Sequence, residues 1–138
     1  KNLGSNCMKK YLIEEVNKIG ISLSDKQVEQ FIKYYELLVE WNSFMNLTGI
    51  TEYHEVVVKH FVDSLSLVKA VDLNKDLSLI DIGTGAGFPG LPLKIAFPNL
   101  KVTLLDSLNK RIKFLDVVIK WYLISIGLFK WSVSIANE

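Results

Sequence analysis

The sequence is poor in the residue types that form disulfides and metal sites, with one cysteine and two histidines among 138 residues. The single Cys7 excludes an internal disulfide and any zinc site built from several cysteines. His54 and His60 are poorly spaced for a shared site on one helix face, so no metal is predicted. No apolar run reaches the roughly 18 residues of a membrane span. Residues 1–10 also lack the apolar core of a secretory signal, so we expect a cytoplasmic protein without a membrane partner.

Excess charge of one sign is absent as well. The formal net charge is +1, which gives no strong overall attraction to nucleic acid but leaves room for local basic patches. Hydrophobic residues make up 49% and charged residues 22%, which allows a packed core and argues against global disorder. The length suits one ordinary domain or two small lobes.

The first half of the sequence has the apolar spacing of α-helices. Ser24 with Gln27 three residues later is a capping box, which places a helix start there. The predicted helices span residues 8–19, 24–45, 52–60 and 61–71. The apolar face predicted for the second helix consists of Val28, Phe31, Ile32, Tyr35 and Leu38.

The period then changes to one of strands alternating with helices, which is the beginning of a parallel α/β sheet. The strands are predicted at 77–82, as a buried parallel strand, and at 101–106, with helices at 91–97 and from 109 to about 123. We expect residues 1–7 to be a leader before a native start at Met8. Residues 8–72 then form a helical N-terminal lobe, and residues 73–138 form a partial cofactor-binding α/β domain.

The most informative segment runs from Leu79 to Pro92. An apolar run ends in Asp81 and is followed by glycines at 83, 85, 87 and 90. Glycines let a backbone turn sharply and let a ligand approach main-chain N–H groups, so a loop of this kind between a strand and a helix predicts a nucleotide-type cofactor site. Asp106 ends the next strand and can hold a ribose, although an aspartate there can also simply form a turn.

Two cofactor classes compete for this loop. Residues 85–90 fit the G-x-G-x-x-G pattern of dinucleotide enzymes, which favours a nicotinamide-dependent oxidoreductase. Residues 81–87 fit the acid-x-G-x-G-x-G pattern of S-adenosylmethionine-dependent methyltransferases. An acid before the glycines suits a cationic amino-acid ligand and is unfavourable beside a pyrophosphate, so the methyltransferase is preferred. A tight turn without a ligand is the third interpretation.

Four stretches of the sequence resemble one family, and they span residues 40–48, 60–65, 81–92 and 105–115. The family is RsmG, also called GidB or glucose-inhibited division protein B, which methylates N7 of a guanine in bacterial 16S ribosomal RNA. The resemblance implies an α/β fold with a helical N-terminal lobe followed by a partial Rossmann-like S-adenosylmethionine-dependent methyltransferase domain. It also implies 16S ribosomal RNA in the small ribosomal subunit as the partner.

The resemblance carries over to particular residues. It implies that Gly83 and Phe88 contact S-adenosylmethionine and that Asp106 holds its ribose. The other residues assigned to the cofactor loop are Asp81, Gly85 and Gly87. On the substrate side the family pattern matches His60, Asp63, Ser64, Lys110 and Arg111.

The substrate-side assignments have alternatives. His60, Asp63 and Ser64 are expected to border the active-site entrance, but His60 and Asp63 can equally cap or bridge helices. Lys110 and Arg111 can meet RNA phosphate or form a solvated face. No catalytic residue is assigned, because N7 of guanine has an in-plane lone pair and catalysis can rest on orientation alone.

The resemblance weakens after about residue 116. A strand-like stretch remains at 132–135, but Asn137 separates Ala136 from Glu138, and the adjacent alanine–glutamate pair of the family is not carried over. We therefore expect a truncated member that is poorly active alone. A non-catalytic cofactor- or RNA-binding module is the alternative.

Overall fold

The computed structural model describes residues 2–126 and 130–133, and it contains a helical half followed by an α/β half. The elements of the helical half are α1 (Asn2–Asn17), α2 (Asp25–Met45), α3 (Tyr53–Val56), a π-helical turn (Val57–Val62), α4 (Asp63–Leu65) and a 3₁₀ helix (Ser66–Lys69). The elements of the α/β half are β1 (Ser78–Ile82), α5 (Gly90–Ala96), β2 (Lys101–Asp106), α6 (Asn109–Ile126) and β3 (Lys130–Val133). The predicted fold class is confirmed.

The capping box predicted at Ser24 begins α2. The Gln27 N–H donates to Ser24 Oγ at 3.1 Å, and the Ser24 N–H donates to Gln27 Oε1 at 2.8 Å. The Gln27 amide also donates to the carbonyls of Ile95 and Ala96 at 3.0 and 3.2 Å. One side chain therefore starts α2 and ties it to the end of α5. The helix ends at Met45, and the capping residue Asn46 adopts a left-handed conformation with φ 54°.

Two predicted helix boundaries are wrong. Helix α1 begins at Asn2 rather than at residue 8. The predicted break between residues 60 and 61 does not occur, because the chain passes from α3 through the π-helical turn into α4 without leaving helical geometry. This turn places Phe61 in the core with no exposed surface. None of the described helices is both long and apolar enough to cross a bilayer.

The three strands form a parallel sheet in the order β1–β2–β3. Asp81 pairs in register with Leu104. Helix α5 packs on the face that carries these two residues, since a Cβ added to Gly90 would meet both side chains. Because side chains alternate along a strand, Ile80 and Ile82 lie on the opposite face, where they are 63% and 77% exposed. The prediction that this strand is buried is therefore wrong for one of its two faces.

A single aromatic core joins the two halves. Tyr34 of α2 stacks on Phe61 at 5.5 Å between ring centroids and on Phe114 of α6 at 6.4 Å, and Phe31 contacts Phe61 at 5.0 Å. All four rings are fully buried. The division of the chain at residue 72 stays a prediction. Residues 127–129 and 134–138, which include most of the weak family pattern near the end of the chain, lie outside the described residues.

Candidate functional site

The glycine loop connects the carboxyl end of β1 to α5. Gly83, Gly85 and Gly87 have φ values of 71°, 63° and 104°, a region that only glycine occupies without strain. The N–H groups of Gly83 and Thr84 donate to the carbonyl of Leu105 at 2.8 and 3.0 Å, so the loop crosses the end of β2. A Cβ added to Gly83 or Gly85 would meet no atom within 4 Å, which leaves space beside the backbone there.

Asp81 fixes both ends of this loop. Its Oδ2 atom accepts hydrogen bonds from the hydroxyl of Thr84 at 2.7 Å and from the N–H of Gly90 at 2.9 Å. The residue is only 8% exposed. Gly90 must lack a side chain, because a Cβ would collide with Leu104 and touch the Asp81 carboxylate. The residue types alone do not reveal this structural role of the acid.

Asp106 lies at the end of the neighbouring strand and binds the same loop. Its carboxylate accepts the N–H of Gly85 at 2.8 Å and the N–H of Leu108 at 3.0 Å, and Arg111 Nη1 lies 3.4 Å away. Burial alone would raise the pKa of this carboxyl. The two N–H donors and the Arg111 guanidinium outweigh burial, so the pKa of Asp106 lies below its ordinary value. Asp106 therefore both forms the turn after β2 and contacts the glycine loop.

Phe88 of the loop rests against the helical half. Its ring stacks on the His60 imidazole with centroids 4.3 Å apart and planes 11° apart. His60 Nε2 is 3.0 Å from Thr48 Oγ1, and the Ser64 hydroxyl donates to the His60 carbonyl. Asp63 is exposed beside this group. The structure thus places the His60 ring against the glycine loop, and Ser64 bonds to the His60 backbone rather than to the loop. The assignment of His60, Asp63 and Ser64 to the substrate side stays a prediction.

Sequence reasoning missed two residues that support this arrangement. The Tyr34 hydroxyl donates to the carbonyl of Ala86 inside the loop at 2.5 Å, and its ring contacts Phe88. The helical pattern had assigned Tyr35 to the core instead, and Tyr35 is only partly buried. The other missed residue is Thr48. It lies in the stretch 40–48 of the family resemblance, called motif 40–48 below, and that resemblance was the available signal for it.

Comparison with known proteins identifies the family. The family model described as GidB, rRNA small subunit methyltransferase G, matches residues 27–125. The chain belongs to this family. The match covers both predicted strands, the glycine loop and nearly all of α2 and α6, and it does not favour the nicotinamide alternative.

Individual relatives agree with the family match. The chain is 61% identical over 107 residues to the ribosomal RNA small subunit methyltransferase G of Lachnoclostridium phytofermentans, an alignment that covers 78% of this chain and 44% of the relative. The protein of the same name from Staphylococcus saprophyticus is 59% identical over 106 residues, with 77% and 44% covered. That from Acetivibrio thermocellus is 52% identical over 113 residues, with 82% and 46% covered. The chain spans a little under half the length of these relatives.

The two basic residues that follow the family's strand-end aspartate differ in placement. Arg111 points inward to Asp106, with its Nε atom buried and unpaired among the described residues. Lys110 is exposed and lines a cavity of about 510 Å³ at the end of α2. The described residues contain no group of three or more histidine, cysteine or acidic side chains arranged for a metal.

The environment of His60 gives a pH prediction. Burial lowers the pKa of His60, and the nearby Asp63 carboxylate raises it by less, so the net shift is downward. Below the ordinary value of about 6.5 the unfolded chain then binds more protons than the folded one. We expect the free energy of unfolding to fall as the pH drops from about 6.5 towards the lower folded pKa. Urea unfolding at several pH values, with NMR titration of the imidazole signals, measures this.

The control is a histidine that does not contact the loop. His60→Phe keeps a flat ring against Phe88 and cannot titrate, so it should remove this part of the pH dependence. His54→Phe changes an exposed histidine bonded to Glu52 and should leave it in place. A titration of His60 above its ordinary pKa would contradict the burial argument.

Proposed function

We propose that this chain serves in S-adenosylmethionine-dependent methylation of guanine N7 in bacterial 16S ribosomal RNA, within the small ribosomal subunit. The observation that carries the proposal is the glycine loop, which is bound by two carboxylates from neighbouring parallel strands. This loop occurs in a chain that belongs to a family of ribosomal RNA methyltransferases. Asp81 and Asp106 contact different parts of the loop, so the same two side chains hold its shape and place negative charge beside it.

The loop fits a nucleoside with an amino-acid group. Gly83 and Gly85 are open on the side where a Cβ would stand, so a ligand can approach their backbone. The N–H donors and the Arg111 guanidinium that lower the pKa of Asp106 favour its ionised carboxylate, which we assign to the ribose hydroxyls. We assign Asp81, Gly83, Gly85, Gly87, Phe88 and Asp106 to cofactor binding.

The methyl transfer requires little of the side chains except that they orient the reacting groups. When bound, S-adenosylmethionine supplies a methyl group on a positively charged sulfur. N7 of guanine attacks through a lone pair in the ring plane, so no residue has to remove a proton first. Phe88 is held by the His60 ring and Tyr34, which fixes one wall of the site before ligands bind. Catalysis then rests on holding the reacting atoms in line.

The substrate-side residues receive different roles. Lys110 is exposed and suits an RNA phosphate. Arg111 contacts Asp106, and the Ser64 hydroxyl donates to the His60 carbonyl, so we assign both residues to positioning. His60 borders the entrance as a ring against Phe88, with the exposed Asp63 beside it.

Calorimetry tests the cofactor assignment. We expect this chain to bind S-adenosylhomocysteine saturably and to bind no NAD. Asp106→Ala should weaken that binding by about tenfold or more, because hydrogen bonds to a charged group contribute about 1.5–3 kcal/mol. Asp116→Ala is the matched control, since that carboxylate pairs with Lys120 on the outside of α6.

The outcomes separate the alternatives. Saturable NAD binding without binding of S-adenosylhomocysteine would support an oxidoreductase. RNA binding without either ligand would support a non-catalytic RNA-binding module. Equal losses in Asp106→Ala and Asp116→Ala would contradict the assignment of Asp106.

A further inference from the structure

A cavity lies where the end of α2 meets the beginning of α6. Its volume of about 510 Å³ falls within the range of about 300–1,000 Å³ typical of small-ligand sites. The lining residues are Asn42, Ser43, Phe44, Met45, Asn46 and Lys110. Five of them belong to motif 40–48, and no residue of that motif is assigned to cofactor binding.

Phe44 presents an aromatic ring to solvent in this cavity. It is 63% exposed, although large apolar side chains are usually buried. The ring packs on Trp41 at 5.3 Å between centroids, and Trp41 packs on the buried Phe114 at 6.1 Å. Phe44 is therefore supported from the core, and its exposed surface is available for a flat ligand.

The polar lining suits a negatively charged ligand with hydrogen-bonding edges. Lys110 is exposed and has no carboxylate within salt-bridge distance among residues 2–126. No acid is among the described residues that line the cavity. Asn46 is exposed at the end of α2, and an amide offers both donors and an acceptor.

Two chains of contacts connect the cavity to the cofactor loop. On one side, Lys110 precedes Arg111, which reaches Asp106 and through it the N–H of Gly85. On the other side, the Asn42 amide oxygen accepts the N–H groups of Leu47 and Thr48 at 2.6 and 2.8 Å. Thr48 then contacts His60, whose ring lies on Phe88. The cavity and the loop are thus connected through these two sets of residues.

We propose that this cavity binds one unpaired nucleotide of the RNA substrate, with its base stacked on Phe44 and its phosphate at Lys110. Aromatic rings that stack on unpaired bases, beside cations that contact the backbone, are the usual elements of single-strand recognition. The inference rests on the proposed function and adds to it a nucleotide site outside the cofactor loop, built from motif 40–48.

Fluorescence anisotropy with a labelled single-stranded RNA of about ten nucleotides, a length within the range of single-strand sites, tests the proposal on the full chain. Phe44→Ala should weaken binding by about tenfold, because a stacked base is lost. Phe44→Trp keeps a ring and should restore binding. Val58→Ala, which shortens another exposed apolar side chain, is the control and should change nothing.

The charge is tested separately through the dependence on salt. Lys110→Gln should reduce the slope of log affinity against log salt by about 0.7, the value for one phosphate contact on a single strand. Lys26→Gln, at the opposite end of α2, should leave the slope unchanged.

Three results would overturn the proposal. These are an unsubstituted chain that does not bind the RNA, a Phe44→Ala variant that binds it like Val58→Ala, and a Phe44→Ala variant that loses affinity only for whole small subunits. The last result would assign the cavity to a surface that only the assembled subunit presents. Binding of S-adenosylhomocysteine, measured on the unsubstituted chain, reports on the proposed function independently of each of these.

Discussion

Replacing Phe61 with alanine is expected to lower the free energy of unfolding by about 3–5 kcal/mol, the usual cost of removing a buried aromatic ring. The Phe61 side chain has no exposed surface. Its ring lies 5.0 Å from Phe31, 5.5 Å from Tyr34 and 6.1 Å from Phe88. The cavity left behind would face both α2 and the glycine loop. Urea unfolding followed by circular dichroism measures the effect.

Phe44→Ala is the matched control for this substitution. It removes the same ring from a position that is 63% exposed, so the free energy of unfolding should change by no more than about 0.5 kcal/mol. Equal losses in the two variants would contradict the core described above. The comparison also establishes that Phe44→Ala is folded when its RNA binding is measured.

Phe61 matters for the site as well as for stability. The Phe88 ring stacks on His60 and also contacts Phe61 and Tyr34, with centroids 6.1 and 5.6 Å away. Without the Phe61 ring, the loop would lose part of the surface that holds Phe88. The helical half therefore supports the glycine loop through these aromatic contacts.

The sequence was sufficient for features that local chemistry determines. Ser24 and Gln27 predict the start of α2, because a capping box satisfies backbone groups within one turn. The glycines at 83, 85 and 87 predict the loop, because glycine permits the positive φ that each of them adopts. Asp81 and Asp106 were found because each ends an apolar run.

Features that depend on distant contacts could not be predicted in this way. Tyr34 donates to a carbonyl 52 residues away, and its neighbour Tyr35 has the same chemistry but a different partner. Thr48 and His60 are 12 residues apart with α3 between them, and they meet only when the π-helical turn packs beside the segment that follows α2. Nothing in the residue types alone distinguishes such pairs from exposed polar residues.

The exposed face of β1 illustrates a different limit. An apolar run of this kind is typical of a strand covered on both sides, and Leu79 and Asp81 do face α5. Ile80 and Ile82 are nonetheless exposed. Whether a strand is covered depends on the elements that pack on it, and the strand's own residues contain no information on this.

Asp81→Ala is expected to destabilise the fold by about 2–4 kcal/mol and to abolish cofactor binding. The substitution leaves the N–H of Gly90 and the hydroxyl of Thr84 without the acceptor that now binds both. Both donors are buried, so water cannot easily replace the carboxylate. Because these bonds hold the two ends of the loop, its backbone should no longer present Gly83 and Gly85 to a ligand. Urea unfolding and calorimetry with S-adenosylhomocysteine measure the two effects.

Two further variants separate the hydrogen bonds of Asp81 from its charge. Asp81→Asn keeps one acceptor oxygen in place, so it should recover much of the stability but, without the negative charge, little of the affinity for a cationic ligand. Asp116→Ala removes a half-buried surface carboxylate that pairs with Lys120, and it should alter neither property by more than about 0.5 kcal/mol. If Asp81→Asn instead bound the ligand as tightly as the unsubstituted chain, the carboxylate would act only by shaping the loop, and its assignment as a partner for the cationic end of the ligand would be wrong.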